Sequence, residues 1–279
     1  MKMTGAEMAV EILLEHNVDT IFGYPGGAAL FIYDALYKYK DKIRHVLTAH
    51  EQGASHAADG YARSTGKTGV VLATSGPGAT NLVTGIATAY MDSIPMVIIT
   101  ANVANSLIGR DAFQETCITG ITFPVTKHSY FVNKTDELAD ALRNAFRIAN
   151  EGRKGPVLVD ITKDVTGATV DYQPAPNCEL KKVQQEELDK KIASFAKYIN
   201  KAEKPVLYLG GVIASEASEE VMRLMEKADI PAVNSMMAAG VVPVTDDRSF
   251  GMLGMHGSYA ANKCIAEADL VLAVGTRFS

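Results

Sequence analysis

The sequence feature that most constrains the fold of this 279-residue chain is a series of five short apolar runs, which are separated by longer amphipathic stretches. Such runs are typical of strands inside a parallel sheet, because helices cover both faces of the sheet. The predicted strands are residues 20–22, 46–47, 69–73, 96–100 and 156–161. Helical periodicity between them predicts helices at residues 6–16, 28–40, 53–64, 80–91 and 136–150. This alternation of strand and helix predicts an α/β fold.

The helical and strand periodicity fades after residue 164. Pro174, Pro176 and the Lys181-Lys182 pair are typical of an exposed linker. We therefore predict a first domain at residues 1–164, a linker at 165–186 and a second domain at 187–279. In the second domain we predict helices at 189–200 and 218–227 and strands at 205–209, 231–233 and 269–274. Because the last strand lacks a covering helix, we expect this domain to be an incomplete Rossmann-like unit and the natural chain to be longer.

Composition and charge argue against a disordered chain and against a nucleic-acid-binding protein. The hydrophobic fraction of 47% and charged fraction of 21% indicate a globular chain, and the formal net charge of −5 disfavours nucleic-acid binding. Cys117, Cys178 and Cys264 lie far apart without metal-ligand spacing, which favours reduced thiols. The first 15 residues lack the apolar core of a signal peptide, and no long apolar run follows. We therefore expect a cytoplasmic protein.

Three candidate motifs follow predicted strands, where open α/β sheets bind their ligands. GYPGG occupies residues 23–27, HEQG occupies 50–53 and TSGPGATN occupies 74–81. Each has an ordinary structural explanation as well. The glycines suit tight turns, and Glu51 suits a helix N-terminus, where the helix dipole stabilises a carboxylate by about 0.3–1 kcal/mol. The third motif has neither the lysine of a P-loop nor GxGxxG spacing, so a turn beside an organic ring is at least as plausible as a phosphate site.

A fourth segment, residues 108–115, follows the strand predicted at 96–100 and adds DAFQE to the same edge. Together with GYPGG, HEQGA, ADGYAR, TSGPGATN, GIATAYMDSIP and KHSYFV, it makes the chain resemble the biosynthetic acetohydroxyacid synthases over essentially its whole length. The resemblance implies a parallel-sheet domain that binds the pyrimidine ring of thiamine diphosphate, followed by a central FAD-binding domain. It also implies that Mg²⁺ and the diphosphate are held by a third domain with a GDG motif, which we do not find here. We therefore expect no metal ligands in these residues.

The resemblance also implies roles for individual residues. Glu51 would hydrogen-bond nitrogen N1′ of the aminopyrimidine ring and so promote loss of the thiazolium C2 proton. Phe113, Gln114 and Lys127 would lie near the reacting 2-oxoacids, although core packing is an alternative for Phe113. The other expected thiamine diphosphate contacts are Pro25, Gly26, Gly27, Thr74 and Asn81. The expected FAD contacts are Gly210, Gly211, Ser235, Met236, Met255, His256, Gly275 and Arg277.

Three parts of the sequence depart from the family pattern. They are Cys117, the run at residues 234–238 and Ser279.

The function implied by the resemblance is acetolactate synthesis from pyruvate and a second 2-oxoacid, pyruvate or 2-oxobutyrate, in branched-chain amino acid biosynthesis. We expect a homodimer or tetramer, with a small regulatory subunit as a further possible partner, and we expect this chain alone to be inactive. Two alternatives stay open. One is another FAD-bearing thiamine-diphosphate decarboxylase or oxidase, and the other is a non-catalytic flavin-binding, nucleotide-binding or dimerisation module.

Overall fold

The computed structural model describes residues 1–175, 185–211 and 217–278, and it divides into two compact units at Leu180 and Lys181. Pro176, Cys178, the Lys181-Lys182 pair and Ser279 lie outside the described residues. Both units are α/β, as the alternation of apolar runs and helical stretches predicts.

Unit 1 is built on a six-stranded parallel sheet with strand order β3-β2-β4-β5-β7-β6. Its strands are β2 (Thr20–Gly23), β3 (Arg44–Leu47), β4 (Gly69–Ala73), β5 (Met96–Asn102), β6 (His128–Val132) and β7 (Pro156–Thr162). Every residue of β4, β5 and β7 is buried, which explains why the sequences of these three strands are mostly apolar. A separate antiparallel pair joins β1 (Lys2–Thr4) to β8 (Thr169–Asp171).

Eight α-helices surround this sheet in the described part of unit 1. They are α1 (Gly5–Glu15), α2 (Leu30–Lys38), α3 (Glu51–Thr65), α4 (Pro77–Thr80), α5 (Val83–Asp92), α6 (Ile118–Thr122), α7 (Leu138–Asn150) and α8 (Lys163–Gly167). Local sequence defines their ends. Thr4 and Glu7 form a capping box at the start of α1, and Gly66 ends α3 in the left-handed conformation.

Two parts of unit 1 differ from the sequence prediction. Strand β6 was missed because it is a half-exposed edge strand in which only Val132 is buried, so it lacks a continuous apolar run. Residues 165–171, which their composition assigns to a linker, instead belong to unit 1. Val165 and Thr166 are buried, and β8 pairs with the amino-terminal strand over three residues. That pairing joins distant parts of the chain, which local composition does not reveal.

Unit 2 contains a four-stranded parallel sheet with order β11-β10-β9-β12. The strands are β9 (Pro205–Leu209), β10 (Ala232–Asn234), β11 (Ser249–Met252) and β12 (Leu270–Val274), and the described helices are α9 (Gln185–Ile199), α10 (Ser218–Ala228) and α11 (Tyr259–Glu267). Strand β11 and helix α11 were not predicted. Gly251 lies in β11 with a φ of +84°. A glycine inside a strand weakens the sequence pattern by which a strand is predicted.

No helix in the described residues is both long enough and apolar enough to span a membrane.

Candidate active site

The carboxyl ends of the parallel strands of unit 1 meet at one edge of the sheet, and the predicted motifs follow them there. GYPGG continues from β2, His50 and Glu51 follow β3, and Thr74 follows β4 directly. Helix α3 begins at Glu51, with the His50 imidazole accepting a hydrogen bond from the amide of Gln52 at 3.1 Å. The glycine-rich turns and Glu51 therefore lie together at the carboxyl edge of the sheet.

Glu51 is an acidic side chain held almost out of water. It is 8% exposed, and its Oε2 accepts a hydrogen bond of 3.0 Å from Asn81 Nδ2. A buried carboxyl needs such a partner, since desolvation of an unpaired one is costly. The predicted residues Glu51 and Asn81 thus contact each other although 30 residues separate them.

Tyr33 is a neighbour of Glu51 that the sequence reasoning missed. Its hydroxyl donates to the carbonyl of Leu72 at 3.3 Å. Burial and the charge of nearby Glu51 raise the pKa of Tyr33 above its usual value, so the hydroxyl stays protonated at neutral pH. Only the packing of α2 on the sheet brings Tyr33 to this edge, and no local motif marks it.

Small residues form the wall around Glu51. The Thr74 hydroxyl accepts a hydrogen bond from the amide of Ala28 at 3.2 Å, which joins the turn after β2 to the turn after β4. A Cβ atom on Gly78 would lie 2.7 Å from Thr74 Cγ2 and 3.1 Å from Glu51 Oε1, and one on Gly26 would also clash with Thr74. By contrast, a Cβ atom on Gly27 would meet nothing within 4 Å. Gly26 and Gly78 are therefore needed for close packing beside the acid, whereas Gly27 faces open space.

The DAFQE segment lies against the third motif. Gly76 has a φ of +58°, and a Cβ atom there would lie 2.7 Å from the carbonyl oxygen of Gln114. The Glu115 carboxylate accepts hydrogen bonds from the amides of Gly109, Arg110 and Ala112, and these bonds lower its pKa. The Glu115 side chain thus closes the turn that precedes it, and the backbone of Gln114 lies against Gly76.

Phe113 is 87% exposed, so the core-packing alternative for it is wrong within the described residues.

Comparisons with known proteins identify the family. Residues 3–121 match the thiamine pyrophosphate enzyme N-terminal TPP binding domain, and residues 192–279 match the thiamine pyrophosphate enzyme central domain. The chain belongs to the thiamine pyrophosphate enzymes. The cluster around Glu51 lies within the first of these matches, and a carboxyl buried among small residues suits the edge of a flat heteroaromatic ring.

The chain is also similar to individual proteins of known name within this family. The chain is 50% identical to an acetolactate synthase of Mycobacterium leprae over 280 residues. It is 48% identical, over 282 residues in each case, to the acetolactate synthase large subunits of Haemophilus influenzae and of Buchnera aphidicola from Acyrthosiphon pisum. Each alignment covers 99% of this chain but only 45–49% of the relative. The chain therefore spans about half the length of the curated relatives that it matches.

Lys127 does not lie at the carboxyl edge of the sheet within unit 1. Its amide donates to the carbonyl of Pro156, the first residue of β7, so it lies at the amino-terminal edge of the sheet. Its ammonium group donates to the carbonyls of Ile148 and Glu151 near the end of α7. The expectation that Lys127 lies near the reacting 2-oxoacids, with Phe113 and Gln114, fails within unit 1. Strand β6 is parallel to β7, so the start of KHSYFV lies at the opposite edge of the sheet.

In unit 2, the residues expected to contact a flavin follow the carboxyl ends of all four parallel strands, at one edge of that sheet. Gly210 and Gly211 follow β9, whereas Ser235 and Met236 follow β10, Met255 and His256 follow β11, and Gly275 and Arg277 follow β12. Met236 and Met255 are 70% and 91% exposed. A Cβ atom on Gly210 would clash with the backbone of Gly275, so the close approach of β9 and β12 already explains one of these glycines.

No group of three or more potential metal ligands occurs in the part of the chain that the structure describes.

Proposed function

We propose that this chain is part of an acetolactate synthase and that unit 1 holds the aminopyrimidine ring of thiamine diphosphate against Glu51. The observation that carries the proposal is the Glu51 carboxyl, nearly buried at the sheet edge and hydrogen-bonded to Asn81. The similarity to acetolactate synthases over 99% of the chain supports the choice of reaction.

The residues around Glu51 suit a flat ring. Asn81 occupies Oε2, while Oε1 points toward the glycine wall at Gly78, which leaves Oε1 as the atom to share a proton with a ring nitrogen. Thr74 and Gly26 fill the space beside the carboxyl and limit access of water. When bound, thiamine diphosphate supplies a thiazolium carbon that adds to the carbonyl carbon of a 2-oxoacid.

Other residues would contact the substrates and FAD. Gly27 and Pro25 border the open side of the cluster, and Phe113 presents an exposed apolar ring next to Gln114, where an acyl group and a second 2-oxoacid can meet. We propose that unit 2 binds FAD along its carboxyl edge, where glycines allow close approach of the backbone and Arg277 can pair with a phosphate. Mg²⁺ binding, a homodimer or tetramer, a regulatory subunit and a cytoplasmic location belong to the same proposal.

The decisive experiment compares Glu51→Gln with wild type, both expressed from the full natural reading frame with thiamine diphosphate, Mg²⁺ and FAD. We expect hydrogen–deuterium exchange at the thiazolium C2, followed by proton NMR, to slow by about two orders of magnitude or more in Glu51→Gln. Glu137→Gln, which removes an exposed carboxylate of unit 1, serves as the control and should exchange normally. Near-normal exchange in Glu51→Gln would refute the assignment of the acid.

Acetolactate formation from pyruvate tests the reaction itself. A folded wild-type protein that exchanges C2 deuterium but forms no acetolactate would point to another thiamine-diphosphate reaction.

A further inference from the structure

A buried polar network lies between β5 and β7, outside the cluster around Glu51. Asp160 is 2% exposed, and the side chains of Thr100 and Asn102 both donate to it at 2.6 Å, one to each carboxylate oxygen. Thr100 is directly opposite Asp160 in the strand register, while Asn102 is the last residue of β5. An acid so completely buried in the middle of a sheet is costly, and nothing in the proposed chemistry uses it.

The network continues into the backbone beyond β5. Asn102 uses its amide nitrogen on Asp160 and its amide oxygen on the next residue, because Oδ1 accepts a hydrogen bond of 2.8 Å from the amide of Val103. Both ends of the Asn102 amide are therefore engaged. Without Asp160, the Asn102 amide nitrogen would lose its hydrogen bond, and the Asn102 side chain would be held less firmly in the orientation that binds Val103.

Val103 begins the segment that carries Phe113 and Gln114. We call residues 103–117 the DAFQE loop. The start of the loop is held a second time by a hydrogen bond of 2.9 Å from the amide of Asn105 to the Asp164 carboxylate. Further along the loop, Arg110 lies in an exposed turn. The first amides of the loop are thus bound by Asn102 at the end of β5 and by Asp164 at the start of α8.

We propose that Asp160 is a positioning residue that orients the DAFQE loop through Asn102. Asp160 reaches neither Phe113 nor Gln114, and it acts by holding the first peptide of the loop in place. The relevance of this placement to substrates rests on the proposed function, but the placement itself is tested without any cofactor.

The test uses trypsin cleavage after Arg110, with fragments quantified by mass spectrometry at low protease concentration. Cleavage then follows the population in which the loop opens. Asp160→Ala leaves the Asn102 amide unsatisfied, so we expect cleavage after Arg110 to become about tenfold faster or more. Asp160→Asn should rescue the loop, because the new amide oxygen accepts from Asn102 while its nitrogen donates to the Thr100 hydroxyl.

Thr100→Val is the matched control. It removes the other hydrogen bond to Asp160 but leaves both hydrogen bonds of the Asn102 side chain intact, the one donated to Asp160 and the one accepted from Val103. We expect it to lower overall stability while leaving cleavage after Arg110 within about twofold of wild type. Hydrogen exchange of the peptide that contains Val103 should follow the same order of variants.

Two results would overturn the proposal. Equal acceleration in Asp160→Ala and Thr100→Val would mean that Asp160 only contributes to stability, and unchanged cleavage in Asp160→Ala would mean that other contacts hold the loop. If Asp160→Ala does not fold, Asn102→Ala breaks the same connection and should give the same acceleration. These outcomes are independent of the C2 exchange measurement, so failure of one proposal is distinguishable from failure of the other.

Discussion

Replacing Glu15 with Gln should destabilise unit 1 strongly at neutral pH. The Glu15 carboxylate accepts two hydrogen bonds from the Arg143 guanidinium, at 2.9 and 2.8 Å, one from the Tyr172 hydroxyl at 2.6 Å and one from the amide of Ala175 at 3.1 Å. Its side chain is only 10% exposed. The carboxylate therefore joins the end of α1 to α7 and to the segment after β8.

The magnitude follows from the pKa of Glu15. Burial opposes ionisation, but the hydrogen bonds from Arg143, Tyr172 and Ala175 outweigh it and lower the pKa from 4.5 to about 2. A difference of this size corresponds to about 3 kcal/mol of unfolding free energy. Because the folded-state pKa is depressed, this contribution is complete above pH 4.5 and disappears as the pH falls through about 2. At pH 3 about 1 kcal/mol should remain.

Urea unfolding followed by circular dichroism measures this difference, because the chain contains no tryptophan for fluorescence. We expect Glu15→Gln to lose about 3 kcal/mol at pH 7 and much less at pH 3. Glu137→Gln removes a carboxylate from an exposed pair with Lys134, at 3.3 Å, and should cost less than about 1 kcal/mol at either pH. A loss in Glu15→Gln that is small at pH 7, or equal at the two pH values, would refute the reasoning.

Two further predictions concern the carboxyl edge and the buried network. Gly78→Ala should destabilise the chain by about 1–3 kcal/mol, since its methyl group would press on Thr74 and Glu51, whereas Gly27→Ala should be nearly neutral; equal urea midpoints for the two variants would contradict the packing described. Burial raises the pKa of Asp160 from 3.8 to about 6, so the wild-type unfolding free energy should fall as pH rises through this interval. Asp160→Asn should lack that slope, and parallel pH profiles of the two proteins would show that Asp160 does not titrate as described.

Much of the fold was predictable from sequence. Strands β4, β5 and β7 are buried on both faces, so most of their residues are apolar, and those apolar runs are visible in the local sequence. The edge strand β6 carries no such requirement and was missed. The pairing of β1 with β8 brings together residues about 170 positions apart, and neither strand has a local signal for its partner.

The residues of the candidate site were likewise predictable from the sequence only in part. The positions of the three motifs at strand ends indicated a shared edge of the sheet, and the resemblance to the acetohydroxyacid synthases indicated Glu51 and Asn81 within them. Only the tertiary structure decided that Lys127 lies at the opposite edge and that Tyr33 lies near Glu51. It also decided that Asp160 connects to the DAFQE loop. These relations depend on strand direction, helix packing and register, which are properties of how segments pack together and not of any one segment.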